Sequence, residues 1–189
     1  LGMVSSAVYR YVASRDDLLT LLVVDAYTEL ADAVDAATGA QSGWRAKIRA
    51  AAHAVRRWAV DQPARWALLY GSPVPGYCAP AERTVGPGTR VVGALFGAVA
   101  EGVAVGDVGS STGGAVRVPQ PLSSDLDRVR AEFGFVGDDA VVAKCFGLWA
   151  GLIGAVSLEV FGQYGSDTLT APEQMFDIQI GLLIDALPK

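Results

Sequence analysis

The chain has 189 residues, of which 51% are hydrophobic and 19% charged, enough for one or two small domains. Its mean hydropathy of +0.33 calls for a large buried core or a large subunit interface. A net charge of −5 excludes a broadly basic protein that coats nucleic acid, but leaves room for a small, local DNA-reading element.

In chain order, the first predicted element is a short helix over Val4 to Val12, with Val4, Val8 and Val12 spaced four apart on one face. Ser14 is an N-cap, and Asp16 and Asp17 follow in the first turn, where the helix dipole favours acids. The apolar positions Leu18, Leu22, Ala26, Leu30, Ala33 and Ala37 then predict a long helix to about Thr38, stopped by Gly39 and the run ATGAQSG. A basic helix is predicted from Trp44, after Ser42 or Gly43, to about Val60, carrying Arg45, Lys47, Arg49, Arg56 and Arg57. In DQPARWALLYG, Asp61 reads as the cap, Pro63 as an early helical residue and Gly71 as the stop.

SPVPGYCAP is a rigid, proline-punctuated loop. Residues 81–101 read as a helix whose start is weakened by GPG at 86–88. Residues 102–124 are Gly- and Ser-rich and read as a flexible surface loop. Ser124 or Asp125 opens a short helix ending near Gly134; the longest apolar helix runs from Asp138 to about Tyr164, and the last from Ala171 to Leu187. No hairpin pattern competes and no internal repeat is present. The fold class is all-α.

Cys78 and Cys145 stand far apart with no metal-ligand spacing, so two free thiols in a reducing compartment are expected. His53 is the only histidine, and is expected as a helix residue in or near the core rather than a metal ligand or catalytic base. The apolar run Ala140 to Val160 is interrupted by Lys144 and Glu159, leaving less than the ~20 residues a membrane span needs. With no signal peptide in view, a cytoplasmic protein with no membrane association is expected. No paired carboxylates, P-loop or dinucleotide fingerprint appears; GDVGSSTGG (106–114) lacks the following lysine and reads as linker. No enzyme, metal or cofactor is expected. Because Leu1 opens the sequence in place of Met, the chain is expected to be part of a longer product.

GMVSSAVYRYVASRDDLL (2–19) resembles the end of the DNA-binding domain of TetR-family transcriptional regulators. Gly2 stands at the tight turn, Val8-Tyr9-Arg10-Tyr11-Val12 in the recognition helix, and Ser14-Arg15-Asp16-Asp17-Leu18 at the junction to a long helix. Val8 and Val12 replace the commoner Leu and Phe. The resemblance implies that Ser5, Ser6 and Arg10 meet base edges while Tyr9, Tyr11 and Arg15 meet phosphates. RWALLYGSPVPGYCAP (65–80) and LWAGLIGAVSLEVFGQ (148–163) resemble the C-terminal domain of a TetR subgroup with a Trp-x-x-x-His-Gly pattern. Trp149 and Gly154 are present, but Ile153 stands where His is usual, removing a polar group.

The resemblance implies a TetR-like all-α fold. Residues 1–20 would form the end of a helix-turn-helix domain, 21–43 a connecting helix and linker, and 44–189 a ligand-binding and dimerisation domain. A small, mostly apolar effector would find walls in Trp58, Trp66, Tyr70, Phe96, Phe146 and Trp149, with Cys145, His53 and Tyr77 as polar elements. The same aromatics read first of all as core, since a helical aromatic stripe is a core stripe before it is a pocket. Gly147, Gly151 and Ala155 recur every four residues and, with Val156, Val160, Ile180, Leu183 and Ile184, are the expected homodimer face; packing within the subunit is the alternative. The expected function is a ligand-responsive repressor that reads operator DNA. The rivals are a helical small-molecule-binding protein or enzyme without a DNA role, and a purely structural helical dimer.

Overall fold

The computed structural model describes residues 12–109 and 118–187. Seven helices form among them: α1 (Arg15–Gly39), α2 (Trp44–Asp61), α3 (Pro63–Tyr70), α4 (Ala81–Ala104), α5 (Leu122–Phe133), α6 (Asp139–Val160) and α7 (Pro172–Asp185). The short helix expected before Val12 lies outside the described residues.

Ser14 caps α1: its hydroxyl accepts from the Asp17 amide at 3.0 Å and donates to the Asp17 carboxylate at 2.8 Å, satisfying one of the amides that a helix start leaves open. The buried stripe of α1 is Thr20, Val23, Ala26, Leu30, Ala31 and Val34. Ala26 and Leu30 are as expected, whereas Leu22 is 43% exposed. The reason is that α1 is wedged between α2 and α4, and small and β-branched residues at 23, 26, 31 and 34 let both neighbours approach. On its outer side, Arg65 of α3 pairs with Asp25 and Glu29, and Arg90 of α4 with Asp32 and Asp35.

Gly43, at φ 83°, starts α2 from the left-handed region, where a side chain would be strained. Asp61 is the last residue of α2, and Gln62 takes the cap position of α3, with Pro63 at its start. The α4 helix is continuous through Pro87. Pro87 has no N–H to donate, and Gly86 and Gly88 on either side keep the turn uncrowded. The start of α5 falls at Leu122, ahead of Ser124, and its end is Gly134 in the left-handed conformation at φ 59°. Asp138 caps α6 by accepting from the Val141 amide at 3.0 Å. That helix stops at Val160, short of Tyr164: Gly162 turns to φ 65°, and the Gln163 amide reaches back to the Leu158 carbonyl at 2.8 Å.

The core joins all seven helices around Trp66, Phe96 and Phe176, each at most 2% exposed. By length and composition α6 is apolar enough to span a bilayer. Here it packs against α2, α3, α4, α5 and α7. Arg56 of α2 forms a two-pronged ion pair with Glu159 of α6, at 2.7 and 2.6 Å. Arg130 of α5 meets Asp139 of α6 at 2.7 Å, and with Ser123 it holds that carboxyl below its ordinary range. The ionised Asp139 therefore favours the folded state above the unfolded value of 3.8, and that contribution fades as pH falls below it. Asp139→Asn is expected to flatten the fall in stability as pH drops below about 4, as read by urea unfolding at successive pH values.

Candidate effector-binding site

A cavity of about 460 Å³ lies where α1, α3 and α4 meet under the proline-punctuated loop. Val23 and Tyr27 come from α1, Leu68 and Leu69 from α3, and Thr84, Val85, Gly88 and Thr89 from α4. The loop forms its open rim with Gly71, Ser72, Pro73, Val74, Tyr77 and Ala79. Gly71 is needed at the lip, since a Cβ there would fall 2.3 Å from the Ala67 carbonyl oxygen. Gly88 leaves room for the Tyr27 ring, which its Cβ would meet at 3.5 Å.

The loop is tied to the first turns of α1. The Tyr77 hydroxyl lies 3.0 Å from the Thr20 hydroxyl, which itself donates to the Asp16 carbonyl at 2.8 Å. Arg83, at the start of α4, lies 4.0 Å from Asp17. At the inner end, Tyr27 stands edge-on to Tyr70 at 6.3 Å. Burial pushes both phenols up from their ordinary values, so both are neutral at physiological pH.

Of the six residues proposed from sequence as ligand walls, five fall into two clusters, Trp58 stands outside both, and none lines this cavity. Trp66, Tyr70 and Trp149 stack together, Tyr70 lying 4.4 Å from Trp66 and 6.1 Å from Trp149. Phe96 gathers Phe133, Phe135 and Phe146 at 5.0, 5.4 and 5.7 Å. Trp58 is buried, with its indole N–H donated to Glu29 at 3.2 Å. Cys145 is buried, which pushes its thiol up to about 12. His53 lies on α2, its Nε2 3.0 Å from Asp177 of α7. Ile153, at the departure from the Trp-x-x-x-His-Gly pattern, packs against the core. Tyr77 is the one polar element from the sequence reading that reaches the cavity wall. Tyr27 and the threonines of α4 were missed because they sit on helix faces that look half-exposed. The length of the proline-punctuated loop was the available signal.

Of the expected DNA-contacting residues, Arg15 is exposed at the first position of α1. Ser5, Ser6, Tyr9, Arg10 and Tyr11 lie outside the described residues.

The α6–α7 face divides in two. Val156, Ile180 and Ile184 are buried in the chain's own core, Ala155 is 7% exposed, and Val160 is half-buried. Gly151 is covered by Leu183 of the same chain, whose side chain a Cβ would meet at 2.7 Å. Gly147 and Gly154 face open space, and Ile178 and Leu182 stand outward at 60% and 66% exposure. A groove of about 410 Å³ runs between Gly154 and Leu158 of α6 and Gln179, Leu182 and Leu183 of α7.

The model of the tetracyclin repressor-like C-terminal domain matches residues 48–183. HTH-type transcriptional regulators of Mycobacterium bovis and of two strains of Mycobacterium tuberculosis are 63% identical over 192 aligned positions, covering the whole of this chain and 80% of theirs. The crystal structure of SCO4313, described as a regulatory protein, superposes with a TM-score of 0.70 at 28% identity, covering 97% of this chain and 80% of that one. A Rhodococcus protein of unknown function shares the fold, with a TM-score of 0.65 at 21% identity over the whole chain and 80% of its own. These matches define a DNA-binding transcriptional regulator, not an enzyme. The chain belongs to the TetR family, whose members bind operator DNA and act as dimers.

Proposed function

We propose that this regulator is a homodimeric cytoplasmic repressor that leaves its operator when a small, mostly apolar molecule fills the cavity between α1, α3 and α4. Residues 1–20 would belong to the DNA reader, 21–43 to the connection, and 44–189 to the ligand-binding and dimerisation part. The observation that supports this reading is the cavity's wall. Val23 and Tyr27 belong to the helix whose first turn follows the DNA-reading segment, and Tyr77 holds that helix through Thr20. Because α1 is one unbroken helix from Arg15 to Gly39, a shift at Tyr27 is carried rigidly to its start. Two readers in successive major grooves stand about 34–36 Å apart, and a ligand preferring a different separation weakens binding. A coupling of about 1–3 kcal/mol gives roughly 5–150-fold, provided the ligand binds the two states unequally.

The test is fluorescence anisotropy of the complete gene product on labelled DNA from its own upstream region, at two salt concentrations, beside a scrambled duplex. Selective, salt-weakened binding is expected. Equal affinity for both duplexes would remove the operator from the account.

A further inference from the structure

The cavity's lining contains no Asp, Glu, Lys, Arg or His; its polar side chains are hydroxyls alone. A hydroxyl has one proton to give and two lone pairs. Thr20 donates its proton to the Asp16 carbonyl, so in the 3.0 Å contact Tyr77 must be the donor. Thr84 and Thr89 donate theirs to the Pro80 and Val85 carbonyls, both at 2.9 Å. What Tyr77, Thr84 and Thr89 have left to offer is lone pairs. Tyr27 and Ser72, which also line it, keep hydroxyl protons to donate, so the site is apolar surface and neutral hydroxyls, with acceptor capacity open at Tyr77 and no compensating charge.

We propose that the cavity takes an uncharged, mostly apolar molecule bearing a hydrogen-bond donor, an alcohol or phenol, and that the Tyr77 hydroxyl accepts this donor. The proposal rests on reading the cavity as the effector site. A carboxylate would find no cation there and an ammonium no carboxylate, so either would shed its water without return. An ether or hydrocarbon of the same size would leave the Tyr77 lone pairs dry and unmet. At the packing density of protein interiors, the volume suits on the order of 15–20 non-hydrogen atoms. The hydroxyl that accepts the ligand's donor is also the one that ties the loop to Thr20 of α1, so occupancy is sensed next to the first turn of that helix.

Cys78 is exposed on the loop beside Tyr77, while Cys145 is buried with its thiol pushed up to about 12. Bimane alkylation therefore labels Cys78 and reports occupancy without DNA. The probes are decanol, decyl methyl ether, decanoate and decylammonium, titrated at neutral pH below their aggregation limits on the complete gene product. Decanol is expected to bind with a Kd roughly tenfold below that of the ether, as one hydrogen bond allows, and below both charged probes. Tyr77→Phe should cut the alcohol's advantage over the ether to less than about threefold, read as the ratio of the two within the variant so that any loosening of the loop cancels. Gly88→Leu, which grows into the cavity toward Tyr27, should abolish the response to every probe.

Ether binding equal to alcohol, tighter binding of decanoate or decylammonium, or no saturable change with any probe would overturn the proposal. An unaltered alcohol preference in Tyr77→Phe would overturn the role of Tyr77. Operator anisotropy is followed in parallel. Selective alcohol binding with the operator still held supports the ligand class and overturns the release mechanism alone.

Discussion

Leu182→Glu is expected to leave the protein monomeric and nearly blind to its operator. Leu182 stands outward from α7 at 66% exposure, beside Ile178 at 60%, and lines the groove opposite Gly154 and Leu158 of α6. Little of the chain's own core depends on it, so the monomer should keep its fold. In a two-fold interface the same side chain appears on both sides, so one substitution acts twice. Each side loses about 1.5–3 kcal/mol of leucine burial and gains a carboxylate that must shed water to be covered. Together these should weaken dimerisation by roughly a thousandfold or more. A monomer reads a single half-site, and the phosphate contacts of the second reader are gone. Sedimentation equilibrium gives the mass, circular dichroism the retained helix, and anisotropy the lost operator affinity. A variant that stays dimeric would place the interface elsewhere on the chain.

Arg56→Met is expected to cost about 1.5–3 kcal/mol of folding stability, the range for losing a charge-assisted hydrogen bond that water only partly reaches. The Arg56 and Glu159 side chains are each 14% exposed and meet through two short bonds, joining α2 to α6. Hydrogen bonding to Glu159, aided by the charges of Glu159, Glu173 and Asp177, pushes the guanidinium above its ordinary value. Without it, Glu159 is left beside the core with no cation at that distance. The double variant Arg56→Met, Glu159→Leu should recover most of the loss, because two apolar side chains of similar volume shed the desolvation penalty along with the pair. Urea midpoints of the parent, both single variants and the double variant close the cycle. Additive losses would show that the two side chains act independently.

Helix existence was legible wherever caps and periodicity agreed. Ser14 and Asp138 cap as their residue types suggest, and Gly71 and Gly134 end helices where turn chemistry places them. Boundaries failed where the deciding force was not local. Asp61 has the chemistry of a cap, but its backbone is still helical, so Gln62 takes the position. The α6 helix ends at Val160, short of the expected Tyr164, because the positive φ of Gly162 turns the chain. The side of α1 facing inward could not be read from its leucines, because being wedged on two sides rewards small residues over large ones. The same limit governs the cavity. Large aromatics such as Trp66 and Phe96 attract attention in a sequence, yet their size is what fills the core. The cavity is bounded instead by Gly71, Gly88, threonines and tyrosines brought together by a loop, a pattern with no period to detect.

The arginines on the outer side of α1 bear on how that helix is held. Arg65 reaches both Asp25 and Glu29, and Arg90 both Asp32 and Asp35. Each guanidinium thus has two neighbouring footholds along the same rod. Exposed pairs of this kind contribute little individually and are screened by salt. Together the two arginines are clasps, each spanning a turn of α1 and fastening it at two points along its outer side to α3 and α4.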